Sequence, residues 1–253
     1  MKRKRCDMEE TTKKKKMTEI GSAIEELSVL SIAKTTIVTT ETEATNIINL
    51  PLKPLLSFCK LIVQVLDKIG PRMAVLRQDI DQNIQRLETM WETDPIVYSN
   101  LVEILSKEAK EGSSKKLKSC SRAAVWLIRA MDFTLALLQR LVKDMSQNMQ
   151  QAVEESYNLT IKPWHGWISC AAFKVALKLV PNNKTFINVL AGKDESHQMV
   201  QDDIRSLIAL LIPLLSQLHS ILVRLLLLLL SRTEKRDTVL CIYIFVISFD
   251  LCL

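Results

Sequence analysis

Apolar residues recur along most of this chain at the three-, four- and seven-residue offsets of an amphipathic helix. Leu55, Phe58, Cys59, Ile62, Val63, Leu66 and Ile69 form one such run, which Gly70-Pro71 ends. Val75, Leu76, Ile80, Ile84 and Leu87 form the next. On the same helix Asp79, Asn83 and Arg86 stand at i, i+4 and i+7, a polar stripe at helical spacing. Asp94-Pro95 reads as the start of a helix through Leu101 and Leu105, and Gly112-Ser113-Ser114 with the lysines after it as a loop. A long amphipathic helix spans 121–143. Another starts near Met149 and ends before Pro163, and a third opens at Pro163 and stops at Pro181. The last runs from about 198 to 222 with a kink at Pro213. Upstream, a short helix fits 20–30, and the Thr-rich stretch 33–48 reads as a linker.

Seven or eight helices with short connections predict an all-α domain. Composition agrees, since 48% of the residues are apolar while glycine (five) and proline (seven) are scarce. Charge adds a tail. Eight lysines and arginines against three acids fall within the first sixteen residues, whereas the formal charge of the whole chain is +6. Residues 1–17 therefore read as a basic disordered segment, which can be drawn to an anionic surface. At the other end, 224–253 is an atypical hydrophobic tail with two apolar runs, each shorter than the ~20 residues that cross a bilayer, so no spanning helix is expected. Six scattered cysteines without a C-x-x-C pair, and no N-terminal apolar stretch, predict reduced thiols in a cytoplasmic protein.

Three segments carry candidate chemistry. The Asp79–Asn83–Arg86 stripe offers an acceptor, an amide and a cation. Arg122, Trp126 and Arg129 repeat the i, i+4, i+7 spacing, placing an indole between two guanidiniums on one helix face. Pro163-Trp164-His165-Gly166-Trp167 sets one imidazole among indoles. Taken singly, each has a plainer explanation: a solvated stripe, a core tryptophan, a histidine satisfied in the interior. Enzyme signatures are missing, with no G-x-S-x-G elbow, no Walker-type glycine loop and no H-E-x-x-H. The aromatics do not interleave with basic residues, so nucleic acid is not an expected partner.

Together the segments resemble the glycolipid transfer protein family, and its plant members most. The resemblance rests on Val65-Leu66-Asp67-Lys68-Ile69-Gly70, Asp79-Ile80-x-x-Asn83-Ile84-x-Arg86-Leu87, the stretch from Val125 to Phe133 reading VWLIRAMDF, and Trp164-His165-Gly166-Trp167. It covers about residues 50–223. It implies a two-layer all-α sandwich around an apolar pocket, and carriage of a ceramide-based sphingolipid between membranes with no catalysis, cofactor or metal. It implies that Asp79 bonds the ceramide amide N–H and His165 the amide carbonyl. Asn83 and Arg86 would bind headgroup oxygens, with Arg86 standing where the family often has lysine. Trp126 would stack on the first sugar, Phe173 line the chain pocket, and Trp167 touch the membrane in a transient peripheral contact by a monomer.

Asn83 and Trp126 match the sugar-binding branch. Arg122 matches a phosphate-binding arginine of the ceramide-1-phosphate branch, so both headgroups stay open. The chain departs from the family after Leu222, where 224–253 reads either as a real membrane-affinity tail or as an altered gene-model end. The alternatives are a sensor or scaffold of the same fold that binds sphingolipid without efficient transfer, and a nuclear protein directed by its basic tail. The domain plan is 1–17 tail, 18–49 short helix and linker, 50–223 lipid-transfer domain and 224–253 tail.

Overall fold

The computed structural model describes residues 18–35, 49–192 and 196–230. The basic tail, most of the Thr-rich stretch and the final apolar run lie outside these. Within them are nine α-helices: α1 Glu19–Thr35, α2 Leu52–Ile69, α3 Ala74–Thr93, α4 Leu101–Glu111, α5 Cys120–Lys143, α6 Met149–Thr160, α7 Trp167–Leu177, α8 Asn183–Ala191 and α9 His197–Leu230. Among the described residues there is no strand.

The apolar faces meet in one core. α5 packs against α3, α4, α6 and α9, while α1 packs against α2, α8 and α9. The core includes Phe58 of α2, Ile84 and Leu87 of α3, and Met131 and Leu141 of α5, all at or near complete burial. Along α9, Val200, Ile204, Leu207, Leu211, Leu214, Leu218 and Ile221 are buried at alternating three- and four-residue steps. The helix runs on through Pro213 and past residue 222. Its segment His197–Leu225 is long and apolar enough to cross a bilayer by length and composition. Its periodic buried face is what a core helix requires.

Further expectations change. Asp94 does not start a helix: it follows α3, and its Oδ1 accepts the N–H groups of Ile96 and Val97 at 3.2 and 3.1 Å, shaping a turn. α4 starts instead at Asn100, whose Oδ1 accepts from Val102 N–H and, across the fold, from Leu50 N–H. The helix expected from Pro163 is a 3₁₀ turn, Lys162–Trp164. His165 (φ −89°, ψ 131°) and Gly166 are extended, and α7 begins only at Trp167. α8 was not foreseen. Asn182 caps it, accepting from Thr185 N–H at 2.9 Å. Val75 and Leu76, read as part of the apolar face of α3, are exposed.

Most consequential is α1, expected outside the domain that starts at residue 50. Ile20, Ala23, Leu27 and Leu30 are all buried in the common core, and Glu19 pairs with Lys68 of α2. The packed body therefore includes this helix.

Polar groups buried between helices tie the layers. The Glu108 carboxylate of α4 accepts from the N–H groups of Cys120 and Ser121 at 2.7 Å each, a negative charge at the positive end of α5. Asp132 of α5 is buried and meets His219 Nε2 of α9 at 3.2 Å, while its Oδ1 has no hydrogen-bond partner among the described residues. Burial pushes its pKa up, against the His219 hydrogen bond and the Arg129 charge. His219→Ala is expected to cost about 1–3 kcal/mol, because it strips a partner from an already under-bonded buried carboxylate. Replacing both Asp132 and His219 by leucine should recover most of that loss. Urea unfolding of the single and double variants checks both. A single variant as stable as wild type would contradict the pairing.

Candidate functional site

The helices enclose a cavity of about 300 Å³. Its lining is overwhelmingly apolar and comes from most of the helices, with Ile20 from α1, Phe58 and Ile62 from α2, Leu137 from α5, Val153 from α6, Phe173 from α7 and Phe186 from α8. Polar or amphipathic side chains join the wall: Asp79 and Asn83 of α3, Trp126, Arg129 and Thr134 of α5, Tyr157 of α6, Glu19 of α1, and His165 of the bend before α7. Asp79 and Leu76 are solvent-exposed, so the cavity reaches the surface beside α3.

The polar stripe on α3 divides by role. Asn83 is buried, donating Nδ2–H to the Asp79 carbonyl oxygen at 2.9 Å and accepting at Oδ1 from Arg86 Nη1 at 2.9 Å. Its head is thereby fixed in orientation. Arg86 does not line the cavity; it acts on the wall through Asn83. Arg122 is exposed on α5 and is likewise absent from the lining.

Arg129, unlike Arg86 and Arg122, lines the cavity. Its guanidinium lies 4.6 Å from the Trp126 ring centroid and 4.4 Å from that of Trp164. Burial, with Arg122 adding to it and Asp132 opposing, lowers its pKa to about 10, so it stays charged at neutral pH.

His165 completes the rim. Its ring centroid is 5.6 Å from that of Trp126, and its Nδ1 is 3.0 Å from the Tyr157 hydroxyl. Burial lowers its pKa, with Arg129 acting in the same sense and Asp79 against. Burial also raises the Tyr157 phenol pKa, keeping its proton in place. The Tyr157 hydroxyl also lies 3.6 Å from Cys170 Sγ; in the tautomer in which the hydroxyl donates to Nδ1, the neutral imidazole carries its own proton on Nε2 and presents a donor. Tyr157 in turn stacks on Phe173, with centroids 3.4 Å apart and planes within 7°. Tyr157 escaped the sequence reading, because a lone tyrosine eight positions before the histidine carries no local signal.

Trp167, grouped with His165 by sequence, points elsewhere. It is 81% exposed, and no residue of α7 is buried although most of that helix is apolar. Ile168 and Val175 are also exposed, with Lys174 and Lys178 on the same segment. An apolar helix open to solvent is an unmet contact surface.

Chemically, the rim offers a carboxylate acceptor, an oriented amide, an imidazole donor, a flat indole and a cation above an apolar sleeve. That set suits an amphiphile with an amide and a polar head. Among the described residues, no group of three or more His, Cys, Asp or Glu side chains is placed to hold a metal ion.

Comparison with known proteins identifies the family and the fold. Residues 50–192 match the family model described as glycolipid transfer protein. The chain is 89% identical over 222 residues to Glycolipid transfer protein 3 of Arabidopsis thaliana, covering 88% of this chain and 95% of that protein. Identity to Glycolipid transfer protein 1 of the same plant is 37% over 170 residues, covering 67% and 82%. Among solved structures, human ceramide-1-phosphate transfer protein with 12:0 ceramide-1-phosphate superposes with a TM-score of 0.69 at 15% identity, over 84% of this chain and 99% of that one. A structure of FAPP2, concerned with how it selects simple glycosphingolipids, superposes at 0.66 with 23% identity, over 76% and 92%. At these identities the two structures speak for the fold alone.

Proposed function

This chain belongs to the glycolipid transfer protein family, and on that premise we propose that it moves a ceramide-based sphingolipid, glycosylceramide or ceramide-1-phosphate, between membranes. The broader activity, lipid transfer without catalysis, follows from membership. The observation that carries the finer reading is the convergence of Asp79, Asn83, Trp126 and His165 on one rim of a mainly apolar cavity.

A lipid chain leaving the bilayer costs about 0.8 kcal/mol per methylene exposed to water, so a carrier must sheathe it. The polar head and amide must then be satisfied, at a cost of about 1–3 kcal/mol for each buried group left unpaired. In our reading Asp79 accepts the amide N–H and the Nε2–H of His165 donates to the amide carbonyl. Asn83, held by Arg86, faces the headgroup, with Arg122 at its outer edge. Phe173 lines the chain pocket. The protein works as a monomer in the cytoplasm, in keeping with free Cys59, Cys120 and Cys170.

Transfer of labelled glucosylceramide and ceramide-1-phosphate between vesicles tests the proposal, and failure to move either would end it. Trp126→Ala is expected to reduce glucosylceramide transfer by roughly fivefold to more than tenfold, and ceramide-1-phosphate transfer less, because the indole face packs on a sugar ring. Equal losses would exclude the stacking role.

Docking falls to α7 in the same reading. Its exposed Trp167 and Ile168 suit insertion at the bilayer interface, and Lys174 and Lys178 suit an anionic surface. Trp167→Ala should weaken vesicle sedimentation severalfold while leaving the melting temperature unchanged, since the side chain is already in water.

A further inference from the structure

Arg129 lies three residues after Trp126, so the two side chains share a face of α5. The guanidinium nevertheless has two aromatic neighbours. Trp126 comes from its own helix at 4.6 Å, and Trp164 comes from the 3₁₀ turn Lys162–Trp164 at 4.4 Å. Trp164 is covalently joined to His165, whose ring stands 5.6 Å from Trp126. One cation therefore touches the indole expected to meet the headgroup and the turn that sets the imidazole.

We infer that Arg129 is a positioning residue: clamped between Trp126 and Trp164, it fixes the plane of Trp126 and the place of His165, and takes one indole face so that only the other is left for a headgroup. The inference rests on the lipid-transfer reading for its consequence and on geometry alone for the clamp.

The chemistry favours arginine for this task. A guanidinium is flat and lies against rings on both of its faces, whereas an ammonium is a compact, strongly hydrated point charge. Cation–π attraction strengthens where water is excluded, and Arg129 is partly buried. Its charge is balanced from one side by Asp132, itself held by His219 of α9, and opposed from the other by Arg122. The clamp is thus tied to the α5–α9 core contact as well as to the rim.

With Trp126 free to rotate, a sugar would lose its stacking plate, while a phosphate, which needs no plate, would lose less. The signature of the clamp is therefore a change in headgroup selectivity. A general loss of docking or stability would instead lower both activities together.

The test uses the full chain. Vesicle transfer of glucosylceramide and of ceramide-1-phosphate is measured for wild type, Arg129→Lys, Trp164→Ala and Trp164→Phe. The ratio of sugar to phosphate transfer is expected to fall about three- to tenfold in Arg129→Lys and Trp164→Ala, and to recover in Trp164→Phe, which keeps a ring. In parallel, NMR of the lipid-free protein should show the Arg129 Hδ protons displaced upfield by ring currents, less so in Trp164→Ala. An unchanged ratio in both variants, or Arg129 protons at random-coil positions in wild type, would overturn the inference. Absence of transfer of either lipid by wild type would overturn the function proposed above, and the NMR arm would still uphold or refute the clamp.

Discussion

Asp79→Val is expected to cut transfer of every ceramide-based lipid by roughly tenfold to more than a hundredfold. The carboxylate is the one anionic acceptor among the described rim residues on α3 and stands beside the oriented Asn83 amide. Hydrogen bonds to charged groups are worth about 1.5–3 kcal/mol, and each 1.4 kcal/mol is a factor of ten. Valine also leaves a ligand N–H unpaired next to an apolar wall, which adds to the loss. Because Asp79 is exposed in the lipid-free protein, the fold should not suffer. Unaltered thermal unfolding with transfer reduced by that factor is the expected pair of results. If glucosylceramide and ceramide-1-phosphate both moved at wild-type rates, the amide would have to be satisfied by another group and the assigned role of Asp79 would fall.

Leu27→Ala is expected to destabilise the whole protein by about 2–5 kcal/mol, as large-to-small changes in a packed core do. Leu27 is 2% exposed and sits on α1 between Ala23 and Leu30 on the same buried face. For a body of this size the loss corresponds to a fall of about 4–20 °C in melting temperature. The consequence extends to function, since Ile20 and Ala23 of the same helix wall the cavity. A loosened α1 would let water reach the chains and weaken lipid retention. Calorimetry that found an unchanged transition would mean that α1 is an appendage, as its position before residue 50 suggested from sequence.

The two arginines flanking Trp126 illustrate how a shared helical face can mislead. Arg122, Trp126 and Arg129 have the spacing of one stripe, and family likeness singled out Arg122 for a phosphate. A face of an α-helix is wide, however, and its margins meet different neighbours. Arg122 lies in the first turn of α5 and is exposed, whereas Arg129 is two turns deeper, where the Lys162–Trp164 turn closes over it. Helical spacing specifies the direction of a side chain; it does not specify what stands opposite.

Much about this protein was determined by its sequence alone. Local periodicity placed α2, α3, α5, α6 and most of α9, because an amphipathic helix must repeat its apolar residues every three or four positions to bury one side. Short-range chemistry identified the Asp79, Trp126 and His165 segments and, through their order, the family. Other features were decided only by tertiary structure. The burial of α1, the division between Arg129 inside and Arg86 and Arg122 outside, and the support of His165 by Tyr157 all join residues far apart in the chain or distinguish margins of one helix. The break at Gly166 and the formation of α8 are local, yet the apolar residues around both are compatible with a continued helix or a connecting loop. Burial, desolvation and hydrogen bonding act between elements, so they come into being only when the helices pack, and here they gather ordinary side chains from separate helices onto one polar rim of an apolar cavity.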